Sequence, residues 1–476
     1  MPNKFKFFNL KIFEKSILNI FLNFVTCFLL TSCVSNKVND FRSNIETDFP
    51  PNDQFSLPSN EQNKSNNLIF QSLGLNHQLF NLIEQALKEN PGWLVKLAKV
   101  DLARAKAGHH TVKSKLKMNS SLSWISGKER TRESKFKTQK VPDWHSRGNI
   151  GWELDLWGKW DAHRKEAESY IDAELYIQKG AQLTLIYEIA KLWYQSAYLK
   201  EDLLLIKNQI RNHHEVHVLH LHNYHAGLDD NQSLITMENT IKLLVLDYNQ
   251  KKRELMVCQT QLGSLIGNPL DFNDSNTVQF SEEPIPHSPH NLPSNALKNR
   301  PDILEAQARF IAQFQHAKGS SLNLYPSINL NLSSITMSGD LSKPFEQWKV
   351  SGGPVIDIPI WSPQRQTELR VAERKLKVMK LEWKNTVLKA VQEIESSLII
   401  HQSLSEDLKI AQNLESKYSQ IEKLTANKFN SGLVSKIDLL ENISASIEAK
   451  RETIASKLNY IFSFFNLSKS LGINWG

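Results

Sequence analysis

The sequence predicts an α+β membrane protein: a duplicated unit that gives four β-strands per chain to a barrel shared between chains, joined to long coiled-coil helices. Three observations predict it. One series of features occurs twice in the same order, about 205 to 210 residues apart. Each copy contains short stretches in which apolar and polar residues alternate. Each also contains a run of nearly 70 residues with almost no glycine or proline. Composition agrees, because 40% hydrophobic residues and a mean hydropathy of −0.40 are too polar for a bundle of membrane-spanning helices. They are also too apolar for a disordered chain. The net charge of +7 over 476 residues lies partly in the first 32, leaving too little to argue for nucleic acid.

The N-terminus sets the compartment. Lys4, Lys6, Lys11 and Lys15 precede an apolar stretch, roughly Ile17 to Leu30, that is too short to span a bilayer. Leu30-Thr31-Ser32-Cys33 follows and resembles a bacterial lipobox, with residues 1–32 as signal peptide and Cys33 as the acylated first residue. Val34, not an aspartate, follows the cysteine, which implies sorting to the outer membrane. Cys27 leaves with the signal, so only Cys258 keeps a thiol and no intrachain disulfide forms. Residues 33–70 are rich in Asn, Ser, Asp and Pro and read as a tether.

Residues 71–267 form the first repeat and 296–471 the second. Between them, 268–295 carries five prolines and reads as a connector. Asn90-Pro91-Gly92-Trp93 opens a helix in the first repeat, and Arg300-Pro301-Asp302-Ile303 opens the helix 299–321 in the second. A β-hairpin follows in each, 116–157 and 324–361. In Asn149 to Trp157, Ile150, Trp152, Leu154 and Leu156 share one face, while Asn149, Gly151, Glu153 and Asp155 share the other. Ile328, Leu330 and Leu332 oppose Ser327, Asn329, Asn331 and Ser333 in the same way. Pro354 and Pro359 weaken the fourth strand and predict poor pairing near its end.

The long helices come next, 158–226 and 363–430. The 68 residues from Pro363 to Asn430 contain no Gly, and no Pro after the first, which makes roughly 100 Å of helix. Leu369, Ala372, Leu376, Met379 and Trp383 repeat at coiled-coil spacing, followed by Val387, Val391, Ile394 and Leu398. Gly227 and Gly432 end these helices, as a left-handed cap requires. Return helices run over 231–266 and 435–470. Four amphipathic strands cannot close a barrel, and open sheet edges cannot sit in lipid. Strands that enter a membrane here must therefore be pooled by several chains, which makes the assembly a conduit.

Leu154-Asp155-Leu156-Trp157-Gly158-Lys159, Asn299-Arg300-Pro301-Asp302-Ile303, Tyr325-Pro326-Ser327-Ile328, Pro359-Ile360-Trp361 and Thr386 to Ile394 resemble the motifs of TolC-type outer-membrane factors. With the lipobox, the nearest subgroup is the OprM/NodT-type lipoproteins of tripartite efflux pumps. The resemblance covers about residues 75–470. It implies a TolC-like homotrimer, with a twelve-stranded barrel in outer-membrane lipid and a twelve-helix tunnel beneath. A periplasmic adaptor and an inner-membrane transporter would be its partners, small toxic molecules its cargo, and no cofactor is implied. The alternatives are a type I secretion or heavy-metal efflux channel, or a lipid-anchored coiled-coil scaffold without a pore.

By motif match, Asp438 and Glu441 stand where the family's tip carboxylates form a cation-attracting constriction, and Asp229 and Asp230 are second candidates. Three aspartates meeting on an axis would have raised pKa values. Acids at helix N-termini also complement the helix dipole, which is the plainer reading. Phe429 and Val434 replace residues that would form a polar latch, so closure by packing is expected. His213, His217 and His220 lie on one helical face at a spacing that can chelate a transition metal; a solvated or adaptor-facing surface is the alternative. No phosphate loop, nucleophile elbow or Cys-x-x-Cys pair is present, and Cys258 sits in an apolar helical context, so no enzyme is expected.

Overall fold

The computed structural model describes residues 77–113, 115–125, 128–130, 138–140, 144–267, 280–285, 296–338, 345 and 347–473. The expected signal peptide, the expected tether with Cys33, and most of the expected connector lie outside the described residues. Helices α1 (His77–Glu89) and α2 (Pro91–Lys113) lead into β1 (Lys117–Trp124), the short β2 (Lys128–Arg130) and β3 (Thr138–Lys140), and β4 (Trp144–Leu154). The long α3 (Lys159–His225) and its return helix α4 (Asn231–Ile266) follow. The second half has α5 (Ala296–Asn299), α6 (Pro301–Leu322), β5 (Ser327–Ser338), β6 (Gln347–Asp357), α7 (Pro363–Asn430) and α8 (Lys436–Ser470).

The sheet is antiparallel with order β1-β4-β5-β6, so the two hairpins meet through β4 and β5. β2 and β3 form a separate ribbon within the first hairpin, which the alternation had not predicted. Two strand expectations need correction. β4 starts at Trp144 and ends at Leu154, so Asp155 is not on a strand. β6 pairs with β5 over its whole length, Pro354 opposite Leu330 included. A proline is tolerated there because β6 is an edge strand of this sheet.

The recurring motifs are the joints of this fold. Asp155 accepts hydrogen bonds from the backbone N–H groups of Trp160 (3.1 Å) and Asp161 (3.0 Å), closing the first turn of α3. Gly158 makes the left-handed turn before it, at φ 78°. Trp157 donates from Nε1 to the Pro326 carbonyl (2.7 Å) and lies 5.3 Å from the Tyr325 ring, tying the first hairpin's exit to the second's entry. Asn90 and Arg300 do equivalent work in the two halves. Asn90 Oδ1 caps Trp93 N at 2.8 Å, and its Nδ2 donates to the Leu265 carbonyl in the last turn of α4. Arg300 donates to the Ser470 carbonyl in the last turn of α8 (2.7 Å) and pairs with Asp302 and Glu393.

The core forms where α1, α2, α3, α4 and α8 converge, around Trp193, Tyr194, Phe280, Phe464 and Phe465. Tyr194 touches Trp193, Phe280 and Phe465 at centroid distances of 4.8 to 6.5 Å. Cys258 is buried there, and its thiol donates to the Leu192 carbonyl (3.2 Å). On α7 the buried stripe includes Ala372, Leu376 and Ala390 and continues through His401 and Leu408. His401 shares a hydrogen bond with Ser463 (2.8 Å) and packs 4.7 Å from the Tyr460 ring. Burial lowers its pKa below the ordinary 6.5, so the folded chain binds fewer protons than the unfolded one. Stability through His401 therefore rises with pH, and its loss begins as pH falls through about 6.5. His401→Phe is expected to flatten the pH dependence of urea unfolding below that value, by at most about 1.4 kcal/mol per pH unit.

Candidate functional site

Strand register sorts the sheet into two unlike faces. Met118, Ile150, Leu332 and Gly352 form one cross-strand row, and Trp152, Leu330 and Pro354 another. Leu122, Trp124, Leu154, Ile328, Trp348, Val350 and Ile356 share their parity, giving a nearly continuous apolar face. Asn119, Asn149, Ser333 and Ser351 form the corresponding row on the opposite face, with Arg147, Glu153, Asn329, Asn331 and Lys349 around it. The apolar face is exposed: Met118, Leu122, Trp124, Trp348 and Val350 are all more than half accessible. Trp124, Trp144 and Trp348 lie toward one end of the sheet, Trp152 toward the other. Trp144 and Trp152 are eight residues apart, about 26 Å along the strand. Tilted by about 40°, the full strands of 11 and 12 residues span the apolar band of an outer-membrane barrel, whose borders carry aromatic side chains. Among the described residues no helix is long and apolar enough to cross a membrane.

At the far end of the long helices the two halves turn identically. Gly227 (φ 72°) and Gly432 (φ 73°) adopt the left-handed conformation. Leu228 N donates to Asn223 O (2.8 Å) and Gly227 N to Tyr224 O (3.0 Å); Leu433 to Lys428 and Gly432 to Phe429 repeat the pattern at 2.9 Å. This pair of bonds satisfies the last carbonyls of a helix and needs a residue without Cβ at the turn.

The tip acids follow immediately. Asp230 caps α4 by accepting from Ser233 N (2.9 Å), and Asp229 pairs with His220 Nδ1. Asp438 accepts from Ser435 N (2.9 Å), while Ser435 Oγ accepts from Asp438 N (3.1 Å), a reciprocal capping box. Within one chain, hydrogen bonds from the Ser435 side chain and backbone hold the Asp438 carboxyl below the ordinary range. That direction is opposite to the one expected for three copies meeting on an axis. The His220 hydrogen bond lowers Asp229 likewise. Glu441 is exposed on α8.

The tip histidines do not gather. His213 has a buried Nδ1 without a hydrogen-bond partner, and burial lowers its pKa. His217 Nε2 lies 3.9 Å from Glu238, and His220 is held by Asp229. Among the described residues, the group with metal-ligand proximity is instead His163, Glu166 and His316, just below the sheet. His163 and Glu166 stand three residues apart in sequence, but the third member comes from the other repeat, so no local signal announced it.

A strand set with one apolar and one polar face and, among the described residues, two unpaired edges, continuous with helices near 100 Å long, has the architecture of an outer-membrane channel protein. The family model for Outer membrane efflux protein matches residues 82–268 and 292–473. The chain belongs to this outer membrane efflux protein family. It is 22% identical over 339 residues to the probable efflux pump outer membrane protein TtgC of Pseudomonas putida, covering 69% of this chain and 68% of that one. It is 24% identical over 424 residues to the cation efflux system protein CusC of Escherichia coli K12, covering 86% and 90%. The crystal structure of the Campylobacter jejuni CmeC outer membrane channel superposes with a TM-score of 0.74 at 20% identity, covering 83% of this chain and 86% of that chain.

Proposed function

We propose that three copies of this chain form the exit duct of a tripartite efflux pump, passing small molecules from an inner-membrane transporter and its periplasmic adaptor to the exterior. The observation that carries this reading is the four-stranded sheet with both outer edges unpaired and its apolar face exposed. Three such sheets joined edge to edge supply twelve strands, enough to close a barrel and remove every edge from lipid. Exposed apolar residues along the helices, such as Leu243 and Leu246 on α4 and Ile399 and Ile410 on α7, point the same way, since they would be covered by neighbouring copies. The duct is passive: energy comes from the transporter. Acylation of Cys33 anchors the N-terminus to the outer membrane. The efflux functions named for TtgC and CusC support export, and substrate choice is left to the transporter.

Asp229, Asp230, Asp438 and Glu441 place carboxylates at the periplasmic mouth, and the capped ones are held ionised by their hydrogen bonds. Glu441 makes none of the capping contacts, so Glu441→Gln removes charge from the mouth without uncapping a helix. Purified protein in planar bilayers should give unitary currents, and this variant should shift the reversal potential toward anions in a salt gradient. A monomer in detergent that leaves bilayers sealed would overturn the duct and favour a scaffold.

A further inference from the structure

We propose that His163, Glu166 and His316 form a binding site for a zinc-like divalent transition-metal ion, which clamps α3 to α6 immediately below the barrel. His163 and Glu166 lie on one face of α3, three residues apart, a turn below β4. His316 reaches them from α6, near the end that leads into β5. His163 Nδ1 lies 3.1 Å from Glu166 Oε2, and His316 Nδ1 lies 3.0 Å from Glu166 Oε1. The three ligand atoms lie within 4.8 Å of one another.

A tetrahedral ion with bonds of about 2.0–2.2 Å separates its ligands by roughly 3.3–3.5 Å. The present spacing thus needs only small side-chain shifts to take the ion, which would replace the protons now shared between imidazole and carboxylate. Two imidazoles and one carboxylate match zinc, cobalt, nickel or copper better than calcium or magnesium. The packing provides for the ring: a Cβ at Gly319, one turn beyond His316, would approach His163 Cε1 at 3.0 Å, so any larger residue crowds it. An open cleft bordered by Lys99, Lys106 and Tyr170 adjoins His163 and Glu166. It is lined by Glu174 as well, gives an ion a way in and leaves room for a fourth ligand such as water.

The clamp joins the first repeat to the second where the helical tube meets the sheet, and it is independent of what the channel exports. The test uses the full-length mature protein in detergent, stripped with chelator and titrated with zinc chloride alone, then with cobalt chloride. One ion per chain should bind at this site, and cobalt should give the intense visible absorption of a tetrahedral nitrogen–oxygen set. His316→Gln should weaken that binding at least about 100-fold, whereas His217→Gln at the tip should leave it unchanged. Zinc should also protect His163 and His316 of the unmutated protein from diethylpyrocarbonate, read residue by residue by mass spectrometry. That measurement stands even if a variant fails to assemble. Absence of saturable zinc binding, unprotected His163 and His316, or binding lost in His217→Gln and kept in His316→Gln each overturns the proposal.

Discussion

Replacing Arg451 by leucine is expected to destabilise the helical body by about 3–5 kcal/mol, the cost of stranding a buried charge. Arg451 on α8 donates to Asp202 on α3 (2.7 Å) and Asp247 on α4 (2.7 Å), with weaker bonds to Gln209 (3.3 Å) and Glu448 (3.2 Å). It therefore fastens the return helices of both halves to one long helix. Burial works against its charge, but the hydrogen bond and proximity of Asp202, together with Glu448 and Asp247, hold the guanidinium more firmly protonated than usual. The three acids differ in what they lose. Asp202 is fully buried, whereas Asp247 and Glu448 reach solvent and can hydrate themselves. Removing Arg451 alone thus leaves one carboxylate with neither water nor partner. In Arg451→Leu with Asp202→Leu, both charges are gone and apolar side chains fill the space, so much of the loss should return. Urea unfolding followed by circular dichroism checks this pair. A double variant no better than the single would show that the network holds geometry and not charge.

The contrast between what was and was not legible follows the range of the interactions. The two long helices, their glycine ends and the return helices are written in local signals: the absence of breakers, a 3-4 apolar stripe, a left-handed cap. The strand faces were legible wherever both alternating positions kept their chemistry. Ser146 and Gly148 interrupt the apolar face of β4 and hide the strand's first half from the alternation. Parity alone places Asp155 on the strand, because it cannot see that the chain has already turned to cap α3. The Arg300 motif was recognisable, but its bond to the Ser470 carbonyl joins residues 170 apart and is a product of the fold. The same holds for Arg451 with Asp202, 249 residues apart. Histidines show how little spacing alone decides. The crowded run near Gly227 has a chelating spacing, yet His217 lies near Glu238, His220 pairs with Asp229 and His213 has a buried Nδ1 without a partner, while the histidine–carboxylate group assembles elsewhere.

The face assignment of the sheet yields the other large effect, in a pair of adjacent substitutions. Leu332 sits in the row Met118, Ile150, Leu332, Gly352, in the middle of the apolar face; Asn331 occupies the neighbouring row with Lys117, Gly151 and Gly353 on the polar one. If the apolar face meets lipid, Leu332→Arg places a cation at mid-membrane depth and costs about 2–4 kcal/mol per chain. In a barrel shared by three chains, as proposed above, the cost falls three times on a single assembly event. The expected result is loss of the heat-modifiable trimer band. Asn331→Arg puts the same side chain into water one residue away. It should assemble normally, and three added positive charges at one level of the lumen should lower cation conductance and move the reversal potential toward anions. Backbone propensity and local charge are nearly the same for the two variants, so a difference between them reports only which face each residue occupies. Should Leu332→Arg assemble while Asn331→Arg fails, the faces are reversed, and the closure of a barrel around the polar side is wrong.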